Sequence, residues 1–135
     1  IYMGNCAVVE ALAQSYGFEY VFIWQPCIWF GTKTLTPDEE CLAQGGTEYR
    51  SNSADVSYEA LLKSAYELFE AGIPDTVRYS SFTHVFDRTS ESVYTDVSGV
   101  HLNPPGNKIV AEEILNMVVE RNLLKLDVKG EVRSN

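Results

Sequence analysis

The chain has 135 residues, the size of one ordinary domain, and 45% of them are hydrophobic, which suits a packed core and argues against disorder. Its net charge of -9 argues against a nucleic-acid partner, because an acidic chain repels the phosphate backbone. No apolar run reaches the roughly 18 residues of a membrane span, since Gln25 and Pro26 interrupt the longest one.

The first two predicted elements are a helix and a strand. Residues 5–16 carry apolar side chains at helical spacing, and Gly17 follows at a position where glycine commonly ends a helix. Residues 18–26 are almost wholly apolar and rich in aromatic and β-branched side chains. This composition is typical of a strand buried on both faces of a parallel sheet, and Pro26 should end it because proline cannot donate a ladder hydrogen bond.

Two further helices are predicted in the middle of the chain. Residues 36–39, Thr-Pro-Asp-Glu, have the capping-box pattern, in which the first and last side chains satisfy N–H groups of the first helical turn. We expect this helix to be short, because the Gly-Gly pair at 45–46 should end it. Residues 47–55 are polar and predict a loop, and the apolar positions within 55–71 fall on one face of the next helix.

A second strand and a last helix complete the pattern. Residues 76–82 predict the strand, and the helix should begin near Asn103 and Pro104, since asparagine caps helices and proline suits the first helical position. Strands that alternate with helices predict an α/β fold with a parallel sheet. Two strands alone make a poor sheet, so we expect residues 1–135 to be the C-terminal part of a single domain whose N-terminal part precedes them.

His101 is the leading candidate for chemistry. It lies in the loop after the second predicted strand, and sites in open α/β sheets gather beyond the carboxyl ends of the strands. Asp96 lies five residues earlier, across a turn that Gly99 permits. Its carboxylate would fix the imidazole tautomer, as a catalytic base requires. On spacing alone, a histidine that is merely hydrogen-bonded in a turn is the commoner explanation.

Other side chains are weaker candidates. Trp29 and Phe30 follow the first strand and either line a substrate pocket or pack against the rest of the domain. His84 lies among apolar residues and is interpreted as structural. The three cysteines are interpreted as free thiols, although a bridge between Cys27 and Cys41 is also open. No metal or cofactor is expected, because neither metal-ligand spacing nor a glycine-rich phosphate loop is present.

Residues 94–114, YTDVSGVHLNPPGNKIVAEEI, resemble the C-terminal block of the SGNH (GDSL-like) hydrolases, in which an aspartate shortly precedes a histidine, a proline-containing turn and a helix. Residues 16–40 resemble a strand, loop and helix of some members, and the likeness extends over residues 2–120. The resemblance implies a three-layer αβα sandwich and a serine hydrolase that cleaves small-molecule or carbohydrate esters through an acyl-enzyme. In it, His101 matches the base and Asp96 the orienting acid.

Two departures from the family pattern leave alternatives open. The family usually places the aspartate three residues before the histidine, where this chain has Ser98, so we expect Gly99 and Val100 to be accommodated as an insertion in the turn. No Gly-Asp-Ser block is present, so the nucleophile is expected upstream. The alternative is a non-catalytic binding domain with an SGNH-like fold. A flavodoxin-like domain is disfavoured by the missing phosphate loop, and the compartment and oligomeric state are left open.

Overall fold

The computed structural model describes residues 2–48, 56–74 and 76–123, which combine four helices with a two-stranded sheet. In chain order the elements are α1 (Tyr2–Tyr16), β1 (Phe22–Trp24), α2 (Pro37–Glu48), α3 (Tyr58–Gly72), β2 (Tyr79–Ser81) and α4 (Pro104–Glu120). The strands run parallel, with Phe22 opposite Tyr79 and Trp24 opposite Ser81. The predicted mixture of helices with parallel strands is therefore confirmed. Residues 49–55 of the predicted polar loop lie outside the described ranges.

The strands are shorter than the sequence suggests. β1 has three residues where the apolar run predicts nine, and β2 occupies three residues in the C-terminal half of the predicted 76–82 segment. The residues that follow β1 pack in the core and do not extend the strand. Cys27 and Ile28 follow its carboxyl end and are both buried. An apolar run of this kind does not distinguish a long strand from a short strand followed by a buried loop.

Helix α3 covers the end of β1 with aromatic side chains. The Trp24 ring stacks on Phe69, with centroids 3.8 Å apart, and the hydroxyl of Tyr66 donates to the carbonyl of Gln25 at 2.8 Å. Tyr66 and Phe69 are the buried residues of α3, whereas Leu61 and Leu68, which the sequence places on the same apolar face as Phe69, are exposed. Ser57 caps this helix by accepting from the N–H of Ala60. This packing fixes where the loop after β1 leaves the sheet.

Helix α2 does not end at its two glycines, so that prediction is wrong. It continues through Gly45 and Gly46 to Glu48. A Cβ atom at Gly46 would overlap the ring of Trp29 and the carbonyl oxygen of Val97. The glycines therefore allow two loops to approach the helix closely, which outweighs the modest helix cost of about 1 kcal/mol for each glycine.

Several described helices leave apolar side chains in solvent. On α1, Val8, Leu12 and Tyr16 recur at helical spacing and are 59%, 44% and 78% exposed. On α3, Leu61 and Leu68 are also exposed. The described helices include none that is long and apolar enough to cross a membrane. The exposed side chains of Val8, Leu12 and Tyr16, here called the apolar stripe on α1, form an unpartnered surface within the described part of the chain.

The three cysteines are free thiols, as interpreted from their spacing. Cys6 and Cys27 are buried, whereas Cys41 is exposed on α2. Burial raises the pKa of the Cys27 thiol to about 11, so this thiol stays protonated and packs as a small apolar group. The Cys27–Cys41 bridge that the sequence left open does not form.

Candidate functional site: a histidine–aspartate pair on a hairpin

The segment 93–103 forms an irregular hairpin, here called the 93–103 hairpin, that ends at Asn103, the residue before α4. The N–H of Asn103 donates to Val93 at 2.9 Å, and the N–H of Thr95 donates to His101 at 3.1 Å. Tyr94 and Leu102 form an isolated antiparallel bridge between them. The side chain of Asn103 then caps α4, as predicted, by accepting from Gly106 N–H at 2.9 Å. His101 is thereby held next to the start of a long helix.

The hairpin brings Asp96 and His101 together. The Nδ1 atom of His101 lies 2.5 Å from Oδ2 of Asp96. The other carboxylate oxygen of Asp96 accepts from the backbone N–H of Ser98 at 2.9 Å and also from the Ser98 hydroxyl. Partial burial raises the pKa of Asp96, but the hydrogen bonds from Ser98 and His101 outweigh it and hold the pKa below its usual value. Asp96 is therefore an ionised acceptor for the His101 ring.

Gly99 makes the turn between the two side chains feasible. Its φ of 70° lies in the left-handed region that favours glycine, and its carbonyl accepts from the N–H of Ile28 at 2.8 Å. A Cβ atom at this position would lie 2.5 Å from Cγ2 of Ile28. The residues between Asp96 and His101 thus form a turn anchored on the loop after β1.

The pair is accessible to a reactant. The side chains of His101 and Asp96 are 70% and 43% exposed, so their contact falls in the class of surface pairs that contribute about 0–1 kcal/mol to folding. In the described ranges Nε2 of His101 has no hydrogen-bond partner, whereas Nδ1 is engaged by Asp96. An imidazole oriented through one nitrogen and free at the other can accept a proton from an incoming group.

A buried carboxylate supports the base of the hairpin. Glu39 is fully buried, and its Oε1 accepts from the N–H of Val93 at 2.8 Å. Its Oε2 accepts from Lys33 Nζ at 2.5 Å and from Thr36 N–H at 3.0 Å. The bond from Thr36 N–H is one half of the predicted capping box. Thr36 Oγ1 lies 3.4 Å from Glu39 N and completes it. Burial raises the pKa of Glu39, but Lys33 and the backbone donors outweigh it and lower the pKa overall.

Trp29 and Phe30 occupy two different environments. The Trp29 ring is packed beside Gly46 of α2 and Gly99 of the hairpin turn, and its Nε1 is buried with no hydrogen-bond partner in the described ranges. The Phe30 ring stacks on Tyr66 of α3, with centroids 4.2 Å apart. Trp29 therefore supports the turn between Asp96 and His101, while Phe30 faces α3. Contact of either ring with a substrate stays a prediction.

A second histidine–aspartate pair lies in the same long loop, and the sequence analysis missed it. Nδ1 of His84 lies 2.8 Å from Oδ2 of Asp87, and this carboxylate also accepts from Thr32 N–H at 2.7 Å and from the Thr32 hydroxyl at 2.8 Å. Gly31, with a φ of 82°, permits this approach, since a Cβ there would lie 2.6 Å from Asp87. The hydrogen bond from Thr32 N–H is the largest cause of the lowered pKa of Asp87.

His84, interpreted as structural from its apolar sequence neighbours, has a side chain that is 68% exposed. The ring borders a cavity of about 470 Å³ that Ser81, Arg88 and Glu113 also line. A histidine and an acid three residues apart in a loop after a strand is the one sequence signal for this pair. The hydrogen bonds that Thr32 donates to Asp87 come from a residue distant in sequence, so the sequence gives no signal for them.

In the described ranges no group of three or more histidine, cysteine, aspartate or glutamate side chains is placed to hold a metal ion. In comparisons with known proteins, no family model, curated protein or solved structure matches this chain. A function therefore has to be argued from the two histidine–aspartate pairs themselves.

Proposed function

We propose that this chain supplies the histidine and the aspartate of a Ser-His-Asp ester hydrolase of the SGNH type. The observation that carries the proposal is the 2.5 Å contact between Nδ1 of His101 and Asp96, with Nε2 of the same ring unengaged in the described ranges. The nucleophilic serine would be contributed by residues upstream of residue 1. The parallel pair of β1 and β2, with helices around it, would then be one part of a three-layer αβα sandwich.

In the proposed reaction Nε2 of His101 accepts the proton of the serine hydroxyl as its oxygen attacks the ester carbonyl. The protonated ring then donates this proton to the departing alcohol, which leaves an acyl-enzyme. Water then attacks the acyl-enzyme as Nε2 accepts its proton, and the ring returns this proton to the serine oxygen as the carboxylic acid is released. Asp96 stays ionised throughout, holds the Nδ1–H tautomer and stabilises the imidazolium. The substrate class is a small-molecule or carbohydrate ester.

Serines near His101 do not provide the nucleophile within the described chain. Ser98 Oγ is 3.3 Å from Nδ1 and also bonds Asp96, so it lies at the acid end of the ring and not at Nε2. This observation favours the second candidate function, a binding domain that keeps the fold without the chemistry. The two functions differ in whether an upstream serine becomes reactive.

Ester hydrolysis by the natural protein, with any residues that precede this sequence, tests the proposal. His101→Ala should lower kcat/KM for p-nitrophenyl acetate by roughly a thousandfold or more, because the base is lost. His84→Ala is the matched control, since it removes a ring held by an aspartate in the same way. It should retain activity within a few-fold. Equal activity of wild type and His101→Ala would overturn the proposal, and a folded but inactive wild type would favour the binding domain.

A further inference from the structure

Helix α2 contacts the 93–103 hairpin at both of its ends. At its N-terminal end, Glu39 accepts from the N–H of Val93 at the base of the hairpin at 2.8 Å. At its C-terminal end, Gly45 and Gly46 face Val97, at the tip of the hairpin and next to Asp96. The hairpin is therefore held along the length of one helix, with the histidine–aspartate pair at the held tip.

Glu39 accepts more hydrogen bonds than the capping of α2 requires. In a capping box the glutamate side chain accepts from the backbone N–H of the N-cap residue, here Thr36. One carboxylate oxygen is sufficient for this bond. The second oxygen reaches the hairpin, 54 residues away in sequence. Burial of a carboxylate is costly unless it is paired and hydrogen-bonded, and the buried ammonium of Lys33 supplies the pairing. Glu39 therefore joins the start of α2 to the start of the hairpin.

The glycine contacts limit where the tip can lie. A Cβ atom at Gly45 would lie 2.7 Å from Cγ1 of Val97, and one at Gly46 would overlap the Val97 carbonyl oxygen. Real Cβ contacts are not this short, so a side chain at either position would push Val97 away from the helix. Val97 is the residue after Asp96, and a shift of its backbone would move the carboxylate relative to His101.

We propose that α2 is the positioning element of the pair, and that Glu39, Gly45 and Gly46 are positioning residues that set the hydrogen bond between Asp96 and His101. This inference rests on the proposed function only for its catalytic meaning. The orientation of the His101 ring can be measured whether or not the protein hydrolyses an ester. Failure of the positioning role and failure of the hydrolase are therefore distinguishable.

The tautomer of His101 reports the positioning directly. With Asp96 accepting from Nδ1–H, neutral His101 is held as the Nδ1–H tautomer, which nitrogen-15 NMR separates from the Nε2–H form. The glutamine in Glu39→Gln has one acceptor oxygen and no charge. This oxygen can accept from Val93, or from Thr36 and Lys33, but not from both sides. We expect the Nδ1–H fraction of His101 to fall roughly twofold or more in this variant. An unchanged fraction in a folded Glu39→Gln protein would overturn the inference.

Two references control this measurement. Glu19→Gln removes a carboxylate that also pairs with a cation, Arg78, and both of these residues lie outside α2 and the hairpin. It should leave the His101 tautomer unchanged. The His84 ring, held by Asp87, is an internal reference in every variant and should also be unchanged. A change of both histidines in Glu39→Gln would mean general loosening of the fold and would contradict a specific positioning role.

A second variant tests the other end of α2 if Glu39→Gln does not fold. Gly45→Ala should lower the Nδ1–H fraction of His101, because the new methyl group displaces Val97. Adding Val97→Ala removes the methyl group that is struck and should restore the fraction. Gly4→Ala is the matched control, since a Cβ there meets nothing within 4 Å. A Gly45→Ala protein with the wild-type fraction, or one that Val97→Ala does not rescue, would contradict the inference.

Discussion

Nδ1 of His101 lies 2.5 Å from Oδ2 of Asp96 although the two residues are five positions apart and not three. The residues between them form a turn whose left-handed position is occupied by Gly99. Ser98, which stands where the shorter spacing would put the acid, donates to Asp96 instead. The acid and the base of the proposed hydrolase therefore meet through a longer turn, and the serine between them orients the carboxylate.

Asp96→Asn should lower kcat for ester hydrolysis by several hundredfold or more, but less than His101→Ala does. The asparagine side chain can turn its NH₂ group toward Nδ1, which favours the wrong tautomer and removes the charge that stabilises the imidazolium. Steady-state kinetics on the natural protein, with circular dichroism as the check on folding, measure the effect. Full activity of a folded Asp96→Asn protein would show that the carboxylate has no role in turnover.

Gly99→Ala should destabilise the chain more than Gly17→Ala does. Both glycines have similar positive φ angles, 70° and 71°, so an alanine at either meets a similar backbone strain of about 1–2 kcal/mol. Only at Gly99 would the new Cβ also strike Ile28, whereas the space around Gly17 is open. We expect a further loss of about 1–3 kcal/mol at Gly99. Urea unfolding of the two variants compares these losses, and equal losses would contradict the close contact with Ile28.

Glu39 should make the stability of the chain depend on pH in the acid range. Its pKa in the folded chain lies below the ordinary value of 4.5, so the unfolded chain takes up the proton first as the pH falls. The stabilisation is therefore present above pH 4.5 and is lost as the pH falls through the folded pKa.

Glu39→Gln cannot bind this proton, so its free energy of unfolding should be lower at pH 7 and fall less between about pH 6 and pH 3. Asp87 and Asp96 also have lowered pKa values, but they titrate in both proteins, so the difference between the two curves isolates Glu39. Parallel curves from chemical denaturation across this range would contradict the prediction.

The apolar stripe on α1 should make the 135-residue chain self-associate. Val8, Leu12 and Tyr16 are exposed on one side of this helix, and apolar surface of this kind is rarely left in water. Val8→Lys combined with Leu12→Lys should shift sedimentation toward the monomer. Gln14→Lys adds the same type of charge to an exposed position of α1 and should leave association unchanged. A monomeric wild-type chain at all accessible concentrations would contradict the prediction.

The parts of the site that depend on neighbouring residues could be predicted from the sequence. Asp96, Gly99 and His101 lie within one turn, so a rule about spacing and turn residues is enough to bring the two side chains together. Asn103 caps the following helix and Pro104 begins it for the same local reason. Local rules worked where the partners are only a few residues apart.

The same local rules could not predict contacts between residues that are far apart in sequence. The bond from Val93 to Glu39 joins residues 54 positions apart, and the one from Thr32 to Asp87 joins residues 55 apart. The Gly45–Gly46 pair has the local signature of a helix end, yet tertiary contact with Val97 and Trp29 explains its use inside α2. Nothing in a single sequence indicates which loop will lie against a helical glycine.

Labelling with a fluorophosphonate tests the proposed triad most directly, because this probe reacts with a serine only when a base activates it. The natural protein, including the residues upstream of this sequence, would be labelled as wild type, His101→Ala and His84→Ala, and the labelled serine located by mass spectrometry. The proposed function predicts one labelled serine in the wild type and in His84→Ala, and none in His101→Ala. Unchanged labelling of a folded His101→Ala protein, or no labelling of a folded wild type, would contradict it.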